Sequence, residues 1–159
     1  MARVKFRFVA HKGLFTWLCR LAQYGVPYTH CEVLTPEGKY LGALLMGGVQ
    51  ERPLDYDGGV FLKEAFVSIP CTAEQEARFF AFLRDQIGKP FDPVGILYFF
   101  GLFSRFNWRD PGAWWCTDLA MAALESAEIV PVVTDVPYTR VTPSNLYWLA
   151  SILSGRDNV

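Results

Sequence analysis

Apolar and polar positions alternate from the start of the chain, with Val4, Phe6 and Phe8 on one side of an extended segment and Lys5, Arg7 and Val9 on the other. That period predicts a strand over residues 4–10. A helix-period run over residues 14–24 follows, ended by Gly25 and closed off by Pro27, with His11 read as part of the turn before it. Residues 28–34 and 39–44 flank the turn signal Thr35-Pro36-Glu37-Gly38 and predict a hairpin. A bend at Gly47-Gly48 leads to a short strand that stops at Pro53. Residues 60–69 predict a further strand, closed by Pro70.

The second half reads as helical. Thr72 and Gln75 stand at capping-box spacing before a run with apolar positions Ala77, Phe80, Ala81, Leu83 and Ile87, and Gly88 ends it. Residues 88–93 form a two-proline loop, 96–103 an aromatic helix and 104–112 a polar loop. Leu119, Ala120, Ala123, Leu124 and Ala127 mark one face of a helix that begins near Cys116. Residues 129–141 read as extended or irregular. Thr142 and Pro143 then open a last helix to about residue 153, before a frayed tail.

A total of 159 residues suits one domain, residues 1–159, with a substantial core. Basic and acidic residues number 15 and 16, so no footprint for nucleic acid is expected. Residues 94–106 are too short for a bilayer span, and contact with a membrane surface is only a minor alternative. The four cysteines, Cys19, Cys31, Cys71 and Cys116, show no metal-ligand spacing, so neither metal nor cofactor is expected. The chain opens without an apolar signal segment; free thiols and a cytoplasmic setting are expected, with a phage-associated one as the alternative.

Cys116 carries the chemical interest. The partial positive charge and free N–H groups of a helix start lower a thiol's pKa, and thiolate is the nucleophilic form. The competing reading makes Cys116 a small buried apolar residue, with Thr117 and Asp118 as capping residues. A nucleophilic thiolate needs a base and an orienting partner for that base. His30 is one of only two histidines, and in a strand it shares a face with Glu32, while Cys31 and Val33 point to the core. Taken alone, each of these is more often an ordinary strand residue than a catalyst.

Together they resemble a known pattern. Residues 27–34, Pro-Tyr-Thr-His-Cys-Glu-Val-Leu, resemble the S-H-V-E-L-V strand of circularly permuted NlpC-type, papain-like cysteine peptidases. Residues 115–119, Trp-Cys-Thr-Asp-Leu, resemble the F-C-S-E-L helix start of the same family. Gly88-Lys89-Pro90-Phe91-Asp92 and Val141-Thr142-Pro143-Ser144-Asn145-Leu146 are similar to two further blocks, in the same order. The resemblance implies an α+β, permuted papain-like (NlpC-type) fold, a central antiparallel sheet with a catalytic helix packed on it.

It also implies a hydrolase of amide bonds in peptide or peptidoglycan-type substrates, with Cys116 as nucleophile, His30 as base and Glu32 as third member. Tyr28 is the expected second oxyanion donor or groove wall, and Trp115 a substrate-side shield. Relatives often take the third member from the next strand, where residues 40–48 here offer no acid, amide or histidine. Two alternatives stand beside this expectation. One is a lipid acyltransferase or thioesterase of the lecithin retinol acyltransferase type, with an acyl substrate. The other is a non-enzymatic phage structural module that keeps the fold.

Overall fold

The structure is a computed structural model, and it describes residues 1–22, 27–93, 112–132 and 141–155. The expected aromatic helix over 96–103, most of the loop after it and much of the stretch before residue 141 lie outside the described residues.

Five strands form one antiparallel sheet: β1 (Ala2–His11), β2 (His30–Leu34), β3 (Tyr40–Leu44), β4 (Gly48–Arg52) and β5 (Phe61–Cys71), in the order β4-β3-β2-β1-β5. The helices are α1 (Leu14–Ala22), α2 (Ala73–Asp85), α3 (Cys116–Ser126) and α4 (Pro143–Ser154). The architecture is α+β.

Strand alternation sorts side chains between two faces of this sheet. Val4, Phe6, Phe8, Cys31, Val33, Leu41 and Ala43 are buried in one apolar cluster with Phe79, Leu83, Leu119, Leu124 and Leu146 of the helices. The Phe6 ring meets Phe79 of α2 edge-on at 5.9 Å, and Phe8 meets Tyr147 of α4 at 5.3 Å. Burying aromatic rings of this size is worth roughly 2–3 kcal/mol each, which makes this face the main source of cohesion.

Two strand ends differ from the sequence reading. β1 runs on to His11, with a register shift between Ala10 and His11, so His11 closes a strand and is not a turn residue. β5 continues through Pro70, which pairs with Arg3. It is an edge strand, where the missing N–H of a proline costs no ladder bond on the outer side.

The helix termini follow their local chemistry. Thr72 and Gln75 form the reciprocal capping box at α2. Thr142 caps α4 by accepting from the Asn145 N–H, with Pro143 in the first turn.

Candidate active site

The N-terminus of α3 is fixed from two sides. Trp114 N–H donates to the Pro90 carbonyl at 3.0 Å, and Asp92 N–H donates to the Trp114 carbonyl at 3.0 Å. The 88–92 loop is in turn tied to β4, where Val49 N–H donates to the Lys89 carbonyl at 2.9 Å. Gly48 makes that approach possible, because a Cβ there would stand 2.2 Å from the Lys89 oxygen. Backbone bonds thus carry the helix start to the end of the sheet where β2 begins.

The residue before the helix, Trp115, is its N-cap and makes no side-chain capping bond. Thr117 and Asp118, capping residues on the competing reading, lie inside the first turn. The Thr117 hydroxyl donates to the Val141 carbonyl at 2.6 Å and accepts from the Trp115 indole N–H. Cys116 therefore sits at the first helical position, where the dipole favours an anion.

Cys116 and His30 line the same pocket of about 260 Å³, together with His11, Lys12, Thr29, Leu44, Phe91 and Trp115 among others. Each acts on the other's ionisation. Burial alone would lower the His30 pKa, but the Cys116 sulfur and the Glu32 carboxylate outweigh it and raise the imidazole to about 9. Cys116 moves the other way: burial opposes its ionisation, yet hydrogen bonds from Cys31 and His30 and the imidazolium charge hold it well below its ordinary value. The two shifts run in the directions that favour a thiolate beside an imidazolium.

Cys31 is the partner that sequence reasoning missed. It faces the apolar side as expected, but α3 packs on that side, and Cys31 and Cys116 line one small cavity. Burial and the nearby Cys116 sulfur push the Cys31 thiol well up, the direction that keeps it a donor beside the Cys116 sulfur. No local signal exposes this, because the encounter depends on how a distant helix docks.

Glu32 stands where the expectation put it, with one oxygen 3.7 Å from His30 Nε2. At that distance the contact is an ion pair; Nε2 has no hydrogen-bond partner among the described residues. The carboxylate itself is held by Arg7 at 2.8 Å, Arg52 at 2.8 Å and the Tyr56 hydroxyl at 3.2 Å. Burial alone would raise its pKa, and the imidazolium, Arg52 and Arg7 instead bring it to about 2. Arg7 extends the network to Asp57 at 2.7 Å and Glu64 at 2.6 Å. Gly42, across from Glu32 on β3, leaves room for it, since a Cβ there would meet the Glu32 Cβ at 3.0 Å.

The two remaining expected residues part company. Trp115 lines the pocket and packs on Phe91 with ring centroids 5.8 Å apart. Tyr28 does not line it. Its ring lies 4.7 Å from Tyr147 and 6.0 Å from Phe8, and its backbone is bonded to Ser144, so its place is in the aromatic packing beside α4. An oxyanion donor from Tyr28 has no support in this geometry.

No protein-family model matches the chain, and no curated protein matches it. Among solved structures the chain is similar to the metalloprotein yiiX from Escherichia coli O157:H7, described as DUF1105, with a TM-score of 0.58 and 17% identity over 80% of this chain and 67% of that one. At that identity the likeness concerns the fold alone. Among the described residues no group of three or more His, Cys, Asp or Glu is placed to hold a metal ion, and no helix is long and apolar enough to cross a membrane.

Proposed function

We propose that this chain is a thiol hydrolase of permuted papain-like, NlpC-type architecture that cleaves an amide bond, in peptide or peptidoglycan-type substrates, through an acyl-enzyme on Cys116. The observation that carries the reading is the placement of Cys116, at the first position of α3, in one pocket with His30, with Glu32 behind the ring; the opposite pKa directions of thiol and imidazole agree with it. Cys116 Sγ attacks the carbonyl, and the His30 imidazolium gives its proton to the departing amine. Water then attacks the thioester, His30 takes a proton from it, and the thiolate is released. The Cys116 backbone N–H at the helix start stabilises the oxyanion. Glu32 orients the ring and supports its charge.

A second reading keeps the nucleophile and changes the acyl source to a lipid or thioester. It is favoured by the pocket's apolar wall of Ala43, Leu44, Leu45, Phe91 and Trp115, and by the exposure of Leu14, Trp17 and Leu21 of α1 and of Met46. Release of amine from a panel of short peptide amides, beside release of fatty acid from phospholipid vesicles, separates the two. Wild-type protein is expected to cleave the amides. Cys116→Ser is expected to lose at least about 1,000-fold in rate, the scale of losing a nucleophile. Turnover that survives Cys116→Ser overturns both readings.

A further inference from the structure

His11 takes no part in the chemistry so far, yet it lines the pocket with Cys116 and His30. Its ring centroid is 6.2 Å from that of His30. The placement comes from the strands: Val9 is the direct partner of His30 on β2, and His11 lies two residues further along β1. The register shift at Ala10/His11 re-aims the side chain at that point, a device that sheets use beside functional sites. The Val60 carbonyl is within reach as an acceptor for one ring N–H. With its N–H given to a carbonyl, a neutral histidine has only an acceptor nitrogen left.

We propose that His11 is a further catalytic residue of this site, accepting a hydrogen bond from the water that resolves the Cys116 acyl-enzyme, and so favouring water over alcohols as acyl acceptor. This rests on the thiol-acyl reading above. In the resolving step the water oxygen bonds to the thioester carbonyl carbon and the carbon–sulfur bond breaks, its electron pair staying on Cys116. One water proton passes to the neutral His30, and the hydroxyl ends in the carboxylic acid product. His11 holds that second O–H during the attack. An alcohol has a single hydrogen, which goes to His30, so His11 gives it no advantage.

The uncharged form that this role needs is favoured by the site. Burial first, and then the neighbouring His30 charge, lower the His11 pKa from its ordinary value, against smaller opposing effects of Asp57, Glu32 and the Val60 carbonyl. As His30 takes the water proton its charge disfavours protonation of the neighbouring ring, so His11 stays an acceptor through the attack.

The experiment is stopped-flow turnover of p-nitrophenyl butanoate, with and without methanol, by wild-type, Cys116→Ser, His11→Phe and His11→Asn proteins. The nitrophenolate burst reads acylation of Cys116, and the following steady rate reads resolution. His11→Phe is expected to keep the burst rate within about twofold and to slow hydrolysis about tenfold, the size of one hydrogen bond to a reacting group. Methanolysis is expected to change little, so the ratio of methyl ester to acid rises about tenfold. His11→Asn, whose amide oxygen can accept, is expected to recover most of the lost hydrolysis. A merely structural role would lower burst and steady rate together and leave the ratio where it was. A normal burst with an unchanged ratio in His11→Phe overturns the inference and leaves the thiol-acyl reading standing. Ester turnover that survives Cys116→Ser overturns that reading, and the inference with it.

Discussion

The two faces of the sheet come from the same strands and carry opposite chemistry. On one, Phe6, Phe8, Val33 and Leu41 pack dry against the helices. On the other, Arg7, Glu32 and Arg52 are almost equally buried and satisfy one another by charge. The apolar face holds the molecule together, and many side chains of similar volume could do so. The charged face is demanding, since each ion left without its partner is stranded away from water. His30 stands on the charged face at the start of β2, and Cys116 arrives from the helix side. The site forms where the two chemistries meet.

Removing a charge should strike hardest. Arg7→Met leaves Glu32, Asp57 and Glu64 without their shared guanidinium, and is expected to cost about 3–5 kcal/mol in urea unfolding. Truncating the apolar face should cost less. Ile69→Ala removes a fully buried side chain of β5 and is expected to cost about 2–4 kcal/mol. The contrast sharpens in the site. In Ile69→Ala the reactivity of Cys116 at pH 6 should stay at the wild-type level, whereas in Arg7→Met it should fall as Glu32 loses its anchor. Equal reactivity in both would break the comparison.

The smallest expected effect is on the pH dependence of stability. The folded Glu32 carboxyl titrates at about 2 against an ordinary 4.5, so its contribution is complete above about pH 4.5 and is lost as pH falls toward 2. Between about pH 6.5 and 9 the site pair should add no slope: folded His30 keeps a proton that the unfolded chain gives up, and folded Cys116 lacks one that the unfolded chain holds. Urea midpoints across this range should be flat with respect to the pair and fall below pH 4.5. Glu32→Gln should lose part of the acid slope.

The sequence made some of this legible. Alternation set Val4, Phe6 and Phe8 on one face, Thr72 and Gln75 marked a helix start, and the run after Tyr28 set His30 and Glu32 on one face. Each of these is local, carried by a period or a cap. What escaped is long-range. Arg7, Glu32 and Arg52 look like solvated strand charges until the 53–60 connection brings Tyr56 and Asp57 over them. Cys31 looks like a core residue until α3 docks beside it. His11 looks like a turn residue because a strand's last position depends on its partner strand. Tyr28 was drawn toward the pocket by resemblance, and its contacts with Phe8 and Tyr147 place it in packing.

The central claim is a thiolate on Cys116, maintained by the protonated ring of His30. Iodoacetamide labelling, read at each cysteine by mass spectrometry from pH 5 to pH 9, tests it most directly. Cys116 is expected to react at pH 6 at least about 100-fold faster than Cys31 or Cys71, with a rate nearly flat from about pH 5 to 8. A Cys116 rate that climbs about tenfold per pH unit alongside Cys71 would mean an ordinary thiol, and would contradict the account.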